Sequence, residues 1–201
     1  AEITFMEEKK EEARQQLRRL LSEYDLDPWI MTQEVQIKVG EDAHSHPILT
    51  LNTKHLDDDA MQLSIFLHEQ AHWLPDAERE AAIPDLRSLY PEIPGIPDKE
   101  GLSEEKKRKI EDFTSKTYNH LIVAWAELDA MTELVGEEQA RRTFKEKVDD
   151  LTTEPYSTLE KTFRWYNNRV LEDPQEIGAV LAKHDLVITP EKGLRVETGE
   201  E

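Results

Sequence analysis

The sequence predicts an α+β fold, mainly α, with a small β-ribbon or sheet ahead of a buried helix and a helical C-terminal half. Three observations predict it. Apolar residues recur at spacings of three and four over most of the chain, as amphipathic helices require. Strict alternation occurs once, in residues 34–39 (EVQIKV), with a second extended run, 46–53, close behind. Five of the ten prolines and two of the seven glycines fall in residues 75–102, where one long helix is therefore excluded.

Each element follows from its residues. In 7–24, Leu17, Leu20, Leu21 and Tyr24 mark one helical face, and Asp27-Pro28 ends the helix. In 34–39, Val35, Ile37 and Val39 point one way and the polar residues the other, a half-buried strand. Gly40-Glu41-Asp42 turns the chain. In 46–53, β-branched Ile48 and Thr50 favour a second strand, with Pro47 suiting an edge. Asp57-Asp58-Asp59 caps a strongly apolar helix over 60–74. A short helix is expected around 77–82, followed by an extended proline-rich loop reaching 102 and lying near the site described below. Ser103 opens a helix over 103–135 that Gly136 closes. Three more helices are expected over 137–150, 155–172 and 174–184, the last two separated by Asp173-Pro174, then a short strand at 186–188. The expected organisation is a single domain over 1–190 with a flexible tail, 191–201.

Composition narrows the function. The 201 residues hold no cysteine, which excludes thiol catalysis, cysteine-ligated zinc fingers, iron–sulfur clusters and a disulfide scaffold. No apolar run approaches the roughly 18–20 residues of a membrane span. A net charge of −19 repels phosphate backbones and anionic membranes, so no nucleic-acid partner is expected. The best basic cluster, Lys106 to Lys109, follows two glutamates and reads as a solvated helix face. The first residue is Ala and residues 1–6 are too short and polar for a secretory signal, a mature-like start that leans toward a secreted or periplasmic protein.

The chemistry lies in His68-Glu69-Gln70-Ala71-His72, an HExxH pattern on the apolar helix. Residues four apart share a helix face. Two imidazoles placed so can reach one tetrahedral Zn²⁺ at about 2.0–2.1 Å. Glu69 is rotated by about 100° from His68 and stands beside the metal, where it can take a proton from an attacking water. Two histidines and a glutamate are costly to bury in an apolar helix unless they pair or ligate.

In this motif the chain resembles the zincins, the HExxH zinc metallopeptidases. The metzincin continuation HExxHxxGxxH is absent, since Pro75 and Glu78 occupy its positions. The resemblance is to the gluzincins, in a small minimal form, and covers two short helical segments. It implies one Zn²⁺ per chain, held by His68, His72 and a downstream glutamate, with Glu69 as general base and a peptide or protein as substrate. The downstream glutamate matches Glu127 (WAELD), in the middle of an apolar helix. Glu133 is a rival that points about 120° away. The Asp common four residues after that glutamate, which orients a zinc-bound His, is Met131 here. The resemblance also implies that the strand before the motif pairs with substrate backbone, a role open to 46–51.

His120 lies two helical turns before Glu127 on the same face, and is a candidate donor to the oxyanion of the tetrahedral intermediate, with Tyr118 and Tyr166 as alternatives. His44, His46 and His55 are weighed as a second metal site and disfavoured by their polar surroundings. Trp73 and Trp125 are expected to pack the metal-binding helices together. The alternative function is a catalytically inactive zincin-like protein that binds partners through its acidic surface. A DNA-linked regulator is disfavoured by the charge.

Overall fold

A computed structural model describes residues 2–150 and 157–190. The first helix, α1 (Glu2–Glu23), buries Ala13, Gln16 and Leu20 and leaves Leu21 exposed. Gln16 and Arg19 both reach Asp59, which ties α1 to the start of the motif helix. A 3₁₀ turn at Asp27–Trp29 brings Trp29 into the core.

The strands are short: β1 (Val35–Ile37) and β2 (Leu49–Leu51) form a two-stranded parallel sheet, with Val35 opposite Leu49 and Ile37 opposite Leu51. All three residues of β2 are buried. On the other side of β2, His44 and Thr50 exchange two backbone hydrogen bonds, at 3.0 and 2.7 Å. Both edges of β2 are therefore occupied, so the expected pairing of this strand with substrate backbone is not available at Thr50.

The motif helix, α2 (Asp59–Ala71), is capped by Asp58, which accepts from the Met61 N–H at 2.9 Å. The next helix, α3 (Asp76–Leu89), is longer than the sequence predicts and runs through Pro84. Pro84 is exposed. Solvent can satisfy the carbonyl that its missing N–H leaves open, and the fully buried Ala82 and Leu86 on either side anchor the helix through the proline. The long α4 (Glu104–Val135) begins at the Ser103 cap and ends at Gly136, whose φ of 84° suits a residue without Cβ. It packs on α2, α3, α5 (Glu137–Asp149), α6 (Thr158–Glu172) and α7 (Pro174–Ala182), and is the axis of the fold.

Two expectations need correction. Residues 186–188 form no strand; the Leu186 N–H instead returns to the Leu181 carbonyl at 3.1 Å, folding the chain back on α7. Trp125 packs α4 against α7, where the sequence expects it between the motif helices: its indole donates to the Pro174 carbonyl at 2.7 Å, and a Cβ at Gly178 would lie 2.7 Å from its ring. The expected tail, 191–201, lies outside the described residues, as does the start of the helix expected from 155. Among the described residues no helix is long and apolar enough to cross a membrane.

Candidate metal centre

On α2, His68 lies within the helix and His72 is its C-cap, one turn on. Their rings are 5.0 Å apart, edge to face. α4 crosses this face and brings a third imidazole. His120 is 5.1 Å from His72 and 6.4 Å from His68, ring centre to ring centre. Nitrogens at about 2.0–2.1 Å from one tetrahedral Zn²⁺ put ring centres about 5 Å apart. Two sides of the triangle match that spacing, and the His68–His120 side is wider. Among the described residues no group of three or more His, Cys, Asp or Glu side chains is already in place to hold a metal ion.

The donor chemistry suits a metal. His120 Nδ1 lies 2.9 Å from the Lys116 carbonyl, which can only accept, so Nδ1 carries the hydrogen and Nε2 the lone pair. His68 Nδ1 lies 2.9 Å from Glu127 Oε2, which fixes the same tautomer. Ligating histidines are commonly held this way, with the second nitrogen donating to a carbonyl or carboxylate. Burial pushes the His72 ring down to about 2, reinforced by His68, His120, Arg79 and His46. Burial also lowers His120, against a smaller upward pull from the Lys116 carbonyl. Both rings are therefore neutral near pH 7, the form that ligates.

Glu69, on the adjacent face of α2, is 7% exposed, and burial raises its carboxyl above the ordinary range. It lines a cleft of about 520 Å³ with His68, Lys147, Ile65, Phe163 and Asn167. A carboxylate with raised proton affinity facing an open cleft is equipped to take up a proton.

Glu127 occupies another position than the sequence predicts. It is 1% exposed, and both oxygens are engaged: Oε2 with His68, and Oε1 with the Ser64 hydroxyl and the Lys147 ammonium. Burial alone would raise its carboxyl, but Lys147 and His68 together outweigh it and hold it lowered. Glu127 thus stands behind His68 as a hydrogen-bond acceptor, with both oxygens engaged, where the sequence expects it beside the two imidazoles as a metal ligand. It holds the His68 ring at Nδ1, the place that the resemblance gives to an Asp at the position of Met131. His120, expected as an oxyanion donor, takes the third corner of the triangle.

The remaining candidates separate clearly. Tyr166 stacks on His120 at 5.6 Å and is buried. Tyr118 faces away; its hydroxyl donates to the Tyr90 carbonyl, which corrects its candidacy as an oxyanion donor. Glu133 is exposed on the outer face of α4. His44 binds the Asp42 carbonyl at 3.0 Å and His46 stacks on Trp73 at 4.3 Å, and among the described residues the early histidines form no group that could hold a metal ion. Trp73 accordingly packs on this loop, not between the motif helices. The proline-rich residues 91–98 line a different cavity, with Tyr118 and Trp165, instead of the cleft beside His68.

Sequence reasoning missed Ser64 and Lys147. Ser64 carried a signal, since it lies four residues before His68 and so shares its face. Lys147 carried less: it sits among charged residues, and only its place between buried Phe144 and Val148 sets it apart.

No family model, curated protein or solved structure matches the chain.

Proposed function

We propose that this chain is a zinc-dependent hydrolase of peptide bonds, with His68, His72 and His120 as metal ligands and Glu69 as general base. The observation that carries the reading is the convergence of three imidazoles, two of them held with Nδ1 donating and Nε2 free, beside a buried glutamate on a cleft. Zinc bound there supplies Lewis acidity toward a carbonyl and toward water. Glu69 accepts a proton at its carboxylate as the water oxygen bonds to the peptide carbon, then returns it to the amine nitrogen as the C–N bond breaks. Tyr166, packed on His120, is the hydroxyl assigned to the developing oxyanion. Glu127 holds the His68 ring in its ligating tautomer.

The test is metal analysis of protein purified without a metal-affinity tag, followed by digestion of casein with and without a chelator. The expected result is about one zinc per chain and chelator-sensitive cleavage. His120→Ala is expected to remove most of the zinc. Full occupancy in that variant would return the third position to another group. Absence of zinc after reconstitution at neutral pH would leave the inactive, partner-binding reading of the acidic surface.

A further inference from the structure

The buried carboxylate of Glu127 depends on a cation from another helix. Lys147 reaches it from α5, with a side chain only 13% exposed against 0% for Glu127. The Lys147 ammonium sits 4.8 Å above the ring of Phe144, which is fully buried one turn earlier on the same helix. That packing fixes where the charge lies. It engages Oε1, leaving Oε2 to His68.

We propose that Lys147 is a positioning residue for His68: it pins the Glu127 carboxylate so that Oε2 faces Nδ1 and the Nε2 lone pair of His68 faces the other two imidazoles. The role in metal binding rests on the zinc-centre reading above; the effect on the His68 ring does not. A buried carboxylate whose cation is removed is strongly disfavoured. It turns toward whatever donors remain, Ser64 foremost, and the His68 hydrogen bond loses its fixed acceptor. A purely structural ion pair joining α4 to α5 would lower stability when broken but leave the His68 tautomer and the zinc affinity of the folded protein unchanged.

The experiment reads the His68 tautomer by long-range proton–nitrogen correlation spectra of the metal-free full chain, and zinc affinity by competition with a chromophoric chelator. Wild type is expected to show the Nδ1–H tautomer. Lys147→Met is expected to lose that preference and weaken zinc binding about tenfold or more, the usual consequence of losing an outer-shell partner. Lys147→Arg is expected to restore both. If Lys147→Met does not fold, Lys147→Gln, which keeps an uncharged donor, is read instead and should lie between. A folded Met or Gln variant with the wild-type tautomer overturns the proposal, as does an Nε2–H tautomer in wild type. A protein that binds no zinc while its tautomer responds to Lys147 overturns the hydrolase and keeps this inference; zinc binding with an unresponsive tautomer does the reverse.

Discussion

A cavity of about 1040 Å³ lies under the proline-rich residues 91–98, and a cleft of half that volume, about 520 Å³, opens beside His68 and Glu69. α4 borders both regions: Tyr118 lines the larger, while Glu127 stands behind His68, which lines the smaller. In the larger cavity the prominent polar groups answer one another. Tyr118 donates to the Tyr90 carbonyl, Tyr90 to Asp173 at 3.0 Å, and Arg87 and Lys99 both close on Glu111. Beside the smaller cleft, His68 meets the rings of His72 and His120, and the buried Glu69 carboxyl faces the opening. Under the proposed reading volume does not mark the chemistry: the charges beside the larger cavity pair with one another, while the smaller cleft is lined by a buried carboxyl of raised proton affinity.

The sharpest way to break that contrast is Glu69→Gln. It keeps the shape and removes the base, so cleavage of casein is expected to fall about 10²- to 10⁴-fold while zinc content holds. Substantial turnover by this variant would sink the general-base role.

The next effect is smaller. Glu127→Gln keeps an acceptor near His68 but removes the charge that Lys147 answers. Zinc affinity and activity are expected to drop about 10- to 100-fold, the range for outer-shell partners. Complete loss of zinc, equal to that of His120→Ala, would put Glu127 back among the ligands.

How much of this was legible in the sequence differs between helix faces. The HExxH spacing placed His68, Glu69 and His72 on α2 because one period governs a single helix. The caps at Asp58, Ser103 and Gly136 were equally local, and α2, α4, α5 and α7 fell close to their expected bounds. The roles of His120 and Glu127 were not local. Both lie on one face of α4, and only the way α4 crosses α2 decides that His120 meets the rings of His68 and His72 while Glu127 meets His68 Nδ1. Sequence spacing contains no crossing angle. The same limit hid Lys147, whose partner is twenty residues away on another helix. At Pro84 the limit was tertiary: burial of Ala82 and Leu86 carries the helix through a proline whose local preference is to end it.

The larger cavity should respond in stability alone. Tyr118→Phe removes a buried hydroxyl from the Tyr90 carbonyl, which is expected to cost about 1–3 kcal/mol in denaturant unfolding and nothing in turnover by folded enzyme. A selective loss of turnover would bring this cavity into the active machinery and dissolve the contrast between the two regions.

The weakest test is also in that region, and it turns on pH. Arg87, and then Lys99, hold the Glu111 carboxyl down to about 2, from an ordinary 4.5. A carboxyl lowered by folding adds stability that is fully present above 4.5 and is lost as pH falls from there toward 2. Glu111 is 41% exposed, so solvent screening limits the pair's worth to under about 1 kcal/mol. Glu111→Gln is therefore expected to unfold slightly earlier than wild type at pH 7 and at the same denaturant concentration near pH 2, when measured in high and low salt. The difference at pH 7 should shrink in high salt. A difference that persists at pH 2 would mean that the Glu111 side chain supports the proline-rich segment by packing, with its charge incidental, and the larger cavity would then owe its shape to apolar contact rather than to the ion pairs around it.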